Sequence, residues 1–350
     1  REPGERVVLH RARLLLRLGE AENESYGNNA SGMFAGLFST GWGPVAPSEA
    51  PPEERFPVLV EALTSPSAEQ RNLGINACKV ALQSGDHVRF AGVAEQGLRK
   101  APTLWQPKVW GEVFDAYRRV WNYLREHIES FSGEEKTTIS EILIDSASGL
   151  TRIQNLEGMV LDTLEEFSEK PWINAKQFLS TTSRLLRFEA KELPKKIASR
   201  GEALRDRLIG TDFGARLKRY AGMEIFEDSY EDDGTPNTRT QSEVQRLANE
   251  ALVNPELLER ELHWLVTPEA ESGYHFGYAL GRGDRDFVFL GKILAALSDS
   301  ERGSAYFLGG YFRAIHERDG ERWESELDRL SKNEKLCLHV PELTWRSGLT

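Results

Sequence analysis

The feature that most constrains this chain is the spacing of its apolar residues, which repeats every three to four positions through most of the sequence. Val7, Val8, Ala12, Leu15 and Leu18 make one such stripe, with arginines and glutamates between them. Phe56, Leu59, Val60 and Leu63 make a second, and Leu73, Ile75, Ala77, Val80, Ala81 and Leu82 a third that ends before Gly85. The Ser65-Pro66-Ser67 turn between them predicts a serine cap with proline early in the following helix. The pattern predicts further helices at about 90–98, 107–130, 134–150, 156–168, 174–193, 194–209 and 212–220. Ser132 with Glu135 three residues on forms a capping box. Period-two alternation is nearly absent. Only Phe287–Leu290 competes as a strand, and Gly291 with Leu294, Ala296 and Leu297 pulls it towards helix. The fold class is therefore all-α, with roughly 15 helices.

Two stretches interrupt the helical pattern. Residues 23–52 hold Gly27, Gly32, Gly36, Gly41 and Gly43, four prolines from Pro44 to Pro52, and the aromatics Tyr26, Phe34, Phe38 and Trp42. A flexible linker gains nothing from four aromatics, so a packed loop is expected, with a short helix near Met33 to Phe38. Glu224 to Gln241 gathers Glu227, Asp228, Glu231, Asp232 and Asp233 beside Gly234 and Pro236, an exposed acidic loop whose spacing does not match a calcium loop. These features divide the chain into a helical array at 1–223 containing the packed loop, the acidic loop at 224–241, and further repeats at 242–350. A repeat is visible near the end. Tyr274-His275-Phe276-Gly277 aligns with Tyr306-Phe307-Leu308-Gly309, and Gly283-Asp284 with Arg318-Asp319, at offsets of 32 rising to 35 residues. That period is characteristic of two-helix solenoid units. Gly277 and Gly309 are expected at equivalent helix–helix contacts. The architecture read from these signs is an α-solenoid of stacked antiparallel helix pairs.

Composition bounds the function. With 44 Lys and Arg against 55 Asp and Glu, the net charge is −11, which argues against a nucleic-acid backbone binder. No run approaches the ~18 apolar residues of a membrane span. The two distant cysteines, Cys78 and Cys337, point to a reducing, cytoplasmic setting. The first residue is Arg1, and the chain reads as a piece of a longer protein.

A search for chemistry leaves no catalytic residue, cofactor site or metal site assigned. No phosphate loop occurs, since Gly291-Lys292 lacks the upstream glycine, and Gly281-Arg282-Gly283 is no dinucleotide fingerprint. Cys337 and His339 have no second ligand pair nearby. Cys78 sits among apolar residues as a core cysteine does. The seven histidines are scattered. The aromatics remain. Trp110, Phe114, Tyr117 and Trp121 step by four, three and four along one helix face, flanked by Arg118, Arg119 and Arg125. Core packing explains such a stripe; an exposed partner groove is the rival, because Trp and Tyr make good interface anchors. Phe34 and Trp42 of the packed loop join these as candidate partner contacts.

Leu63-Thr64-Ser65-Pro66-Ser67-Ala68-Glu69-Gln70-Arg71, followed by Ala77 and Ala81-Leu82, resembles a HEAT repeat over about 20 residues, with its turn leading into a second helix. Two further stretches are similar to segments of large bacterial STAND or NACHT-type NTPases of phage defence: Glu24 to Phe56, and Val340-Pro341-Glu342-Leu343-Thr344-Trp345-Arg346-Ser347-Gly348. The resemblance implies that this chain is the helical sensor array of such a protein. It would bind a protein partner, either a phage protein or other domains of its own parent chain. An enzyme built around loop 26–43, with Asn28, Asn29 and Ser31 as its polar groups, and a purely architectural spacer are the alternatives.

Overall fold

The computed structural model describes residues 3–22, 28–87, 103–189, 193–222 and 238–348. Among these residues the chain forms seventeen α-helices and no strand. It divides into two compact units, Arg1–Leu204 and Arg205–Thr350.

The first unit begins with α1 (Pro3–Glu20), α2 (Ala30–Gly36), α3 (Pro52–Leu63) and α4 (Ala68–Ala81). It continues with α5 (Trp110–His127), α6 (Gly133–Thr151), α7 (Glu157–Phe167), α8 (Ala175–Glu189) and α9 (Lys195–Ile209), and the division between units falls inside α9. Helix α1 packs on α2, α3 and α4, while α4 touches α6 and α6 touches α8. Apolar side chains from several of these helices, among them Val58, Leu59, Ala77, Leu124, Ile139 and Leu143, fill the interior. The capping box opens α6: the Ser132 N–H donates to the Glu135 carboxylate at 3.0 Å, and the Glu135 N–H donates to Ser132 Oγ at 3.4 Å. Glu135 also accepts from Arg71 Nε at 2.7 Å, tying α6 to α4. Pro66 lies outside α4, whose cap is Ser67, because the Ser67 hydroxyl reaches the Gln70 N–H. The helix expected at 90–98 lies outside the described residues.

The second unit contains α10 (Phe213–Gly222), α11 (Thr238–Val253), α12 (Pro255–Leu265), α13 (Gly273–Gly283), α14 (Leu290–Asp299), α15 (Tyr306–Arg318), α16 (Gly320–Ser331) and α17 (Val340–Ser347). Helix α13 packs on both α11 and α15, α15 packs on α17, and α12 packs on α14. Leu247, Leu258, Phe276, Ile293, Phe307 and Phe312 contribute to one continuous core. Most of the expected acidic loop lies outside the described residues, but its last four positions, 238–241, form the first turn of α11.

Glycine sets the closest approach in this unit. A Cβ on Gly277 would lie 2.1 Å from the Phe307 carbonyl oxygen, and one on Gly310 would lie 1.9 Å from that of Tyr274, so α13 and α15 meet backbone to backbone. Gly309 faces α17, where a Cβ would meet the aliphatic stem of Arg346 at 2.9 Å. Gly277 and Gly309 thus each face the helix two further along the chain. The aligned aspartates also share a task. Asp284 accepts the N–H groups of Val288 and Phe289, each at 3.0 Å, before α14, and Asp319 accepts that of Arg322 at 3.0 Å to cap α16. The ambiguous segment Phe287–Leu290 is the turn that Asp284 organises, with Phe287 in the left-handed region at φ 56°. Arg318 donates to the carbonyls of Gly281, Arg282 and Asp284, which satisfies the carbonyl end of α13.

Candidate functional site

The Gly/Pro-rich segment after α2 is packed through one buried charge. Arg55, in the first turn of α3, is 2% exposed. Its Nη1 donates to the carbonyls of Leu37 and Ser39, and its Nε to that of Pro51 at 3.4 Å. Burial lowers the Arg55 guanidinium to about 9, partly opposed by the negative charge of Glu54. Phe34 and Phe38 are buried against each other edge to face, 5.1 Å between ring centres. Further along, the Thr40 hydroxyl donates to Tyr117 Oη at 2.7 Å, and Tyr117 donates on to the Gln83 carbonyl at 3.1 Å. The Gly43 N–H donates to the Trp105 carbonyl at 2.9 Å, and the Trp105 N–H to that of Ser48 at 3.1 Å. Gly43 adopts φ 61°, a conformation that favours glycine.

This framework divides the aromatic stripe of α5. Tyr117 and Trp121 are 1% and 0% exposed, so they are core. Trp121 Nε1 donates to Thr163 Oγ1 at 2.8 Å, joining α5 to α7. Phe114 is half-buried. Trp110, at the start of α5, is 60% exposed beside Val109 at 62%. Trp110 meets the half-buried Trp42 edge to face at 5.3 Å, and Trp42 meets His87 at 6.1 Å. Trp42 and Trp110 are thereby brought together at the surface. Phe34, Tyr117 and Trp121 are not: each is closed off from any partner by its own packing. The flanking arginines are engaged within the fold. Arg118 binds Asp115 at 2.7 Å and the Asn155 carbonyl at 3.2 Å, and Arg125 binds Glu166 at 2.8 Å.

Of the polar groups proposed for an enzyme site, Asn29 and Ser31 have structural work, while Asn28 is exposed. Asn29 Oδ1 accepts from the Ser31 hydroxyl at 2.8 Å and from the Gly32 N–H at 3.1 Å, capping α2. Glu22 accepts the N–H groups of Ala30 and Ser31 at 2.7 and 2.9 Å. Cys78 is fully buried, and burial raises its thiol pKa, which disfavours the thiolate. Among the described residues no group of three or more His, Cys, Asp or Glu side chains could hold a metal ion, and no helix is long and apolar enough to cross a membrane.

Each unit also has an open cleft. One, of about 750 Å³, runs between α4 and α6 and is lined by exposed polar groups including Asn72, Asn76, Lys79, Thr138 and Asp145. The other, of about 530 Å³ in the second unit, is lined by Tyr306, Glu342 and Arg346. Arg346 lies over the rings of Tyr306 and Trp345 at 4.4 and 5.1 Å, and Trp345 is 62% exposed. Helical spacing does not mark Trp345 as a contact residue; its exposure is seen only in the fold.

No family model matches the chain, and no curated protein matches it. Among solved structures, the crystal structure of an engineered protein is 14% identical over 99% of this chain and 90% of that one, with a TM-score of 0.27. A superposition this loose carries no argument about fold or function.

Proposed function

We propose that this chain is a non-catalytic recognition module, a HEAT-like array of stacked antiparallel helix pairs that binds a protein partner. The alternate-helix contacts support the array: α4 with α6 and α6 with α8 in one unit, α11 with α13, α13 with α15 and α15 with α17 in the other. The observation that carries the recognition reading is the corner of Trp110, Val109 and Trp42. Large apolar side chains cost solubility when exposed together, and an anchored aromatic pair is the usual core of a protein interface. The loop beneath it is clamped by Arg55, Thr40 and Trp105, so Trp42 is presented on a fixed support and little ordering entropy opposes binding. The pairing of Arg118 and Arg125 with carboxylates disfavours a nucleic acid as the partner. The role as sensor array of a bacterial defence NTPase, and a cytoplasmic location, rest on the sequence resemblance and on the two free cysteines.

A photo-crosslinking residue at position 110, introduced in the native host, tests the reading. A discrete protein adduct is expected at 110, lost on Trp42→Ala and absent when the crosslinker replaces Val253, which is 77% exposed at the end of α11. No adduct at 110, or the same adducts at 110 and 253, overturns it.

A further inference from the structure

Helix α1 buries Val8, Ala12, Leu16 and Gly19, and it packs on α2, α3 and α4. Its opposite face is in solvent, yet that face carries Leu14 and Leu18, one turn apart and each 51% exposed. Arg17 and Arg11 are exposed as well. At about 3.6 residues per turn they lie roughly 120° apart around the helix axis, with both leucines between them. From Val7 to Gly19 the sequence has three arginines and no carboxylate, although the whole chain carries a net charge of −11.

The fold answers only one of those arginines. Arg13 forms a forked pair with Glu61, at 2.7 and 2.5 Å. Among the described residues no carboxylate pairs with Arg11. Arg17 acts on Glu20 only as a nearby charge, without an ion pair, and the Glu20 carboxylate accepts from Gln70 at 2.6 Å. Solvated arginines need no partner by themselves. Two leucines held between them give the face the layout of an interhelical seam, apolar knobs with charges alongside. A membrane-surface helix presents a broad apolar arc, whereas Leu14 and Leu18 span only about 40°. A nucleic-acid backbone would engage the arginines and leave both leucines in water.

We infer that the outer face of α1 docks an acidic amphipathic helix of a partner protein. Apolar side chains of that helix lie against Leu14 and Leu18, and its flanking Asp or Glu side chains pair with Arg11 and Arg17. The buried face of α1 fixes the support on which these groups are presented. None of the four residues belongs to the corner of Trp42 and Trp110, so the two surfaces stand or fail separately.

Fluorescence anisotropy tests the inference with a labelled synthetic helix that has leucine at heptad positions a and d and glutamate at e and g. The control is the same helix with lysine in place of glutamate; like charges keep each probe from pairing with itself. Saturable binding of the glutamate helix alone is expected. Arg11→Glu combined with Arg17→Glu should weaken it by roughly tenfold or more and let the lysine helix bind instead. Leu14→Ser combined with Leu18→Ser should abolish binding of both, and Trp42→Ala should change neither. All four α1 side chains are exposed, so circular dichroism should show every variant folded. No binding of the glutamate helix, equal binding of both probes, or a glutamate-helix affinity unchanged by the arginine reversal overturns the proposal. Phosphatidylserine vesicles that bind where the glutamate helix does not would make the face a membrane contact, and a dimer lost on Leu14→Ser with Leu18→Ser would make a second copy its occupant; either result overturns it equally.

Discussion

At the scale of single residues, the stripe on α5 shows what helical spacing reveals and what it hides. Trp110 and Trp121 are both on it, yet one is 60% exposed and the other 0%. Trp121→Ala should destabilise the protein by about 3–5 kcal/mol through lost burial and a cavity. Trp110→Ala should change stability by no more than about 0.5 kcal/mol, as surface substitutions do. Chemical denaturation of the two variants checks both, and similar losses for both would mean that Trp110 is core. Spacing placed these residues on one helix face, but the depth of each depends on which segments cover that face. The cover includes Thr40, which reaches Tyr117 from a loop 77 positions away in sequence. Arg55 was wholly illegible: in Glu53-Glu54-Arg55-Phe56 it reads as part of a solvated helix start. Only the carbonyls of Leu37, Ser39 and Pro51, gathered by the fold, make it a buried clamp.

Elements were far more legible than contacts, for a physical reason: periodicity and caps are local. The Ser132–Glu135 box and the helix after it stand where the residues place them. The Gly277 and Gly309 alignment also marks corresponding places, but the sequence does not say what each glycine meets. Gly277 meets a backbone carbonyl and Gly309 a flexible arginine stem. Backbone cannot move aside as a side chain can, so Gly277→Ala should cost about 2 kcal/mol or more through overpacking. Gly309→Ala should cost less. Gly291→Ala in α14, where an added Cβ has nothing within 4 Å, should be neutral or stabilising by up to about 1 kcal/mol. Urea midpoints of the three variants give the order. Equal losses at Gly277 and Gly291 would contradict the close approach of α13 and α15.

Across the molecule, hydrogen-bonded carboxylates and a half-buried histidine make stability fall on acidification. Glu61 is held low by its hydrogen bond from Arg13, Glu250 by that from Arg216, and Glu317 by Arg313 and Tyr278. Burial opposes the same shift at Glu135, but the Ser132 N–H and Arg71 outweigh it. A carboxylate with a depressed folded pKa binds fewer protons folded than unfolded. Its contribution is therefore complete above the unfolded value of about 4.3 and is lost as pH falls through the folded value. His87, lowered by burial, adds a shallower loss that begins as pH falls below about 6.5. These residues lie in both units, so each unit should weaken on acidification, and the two need not unfold in one step. Urea midpoints should fall slightly from pH 7 to 5 and steeply from 4.5 to 3. Arg216→Gln gives the sharper test, because the Arg216 and Glu250 side chains are only 13% and 31% exposed. That variant should lose about 1 kcal/mol at pH 7. The deficit should shrink towards pH 3, where Glu250 is protonated and the pair is gone in the parent chain as well. A deficit that stays constant from pH 7 to 3 would show that Arg216 stabilises α10 and α11 by packing rather than by its charge.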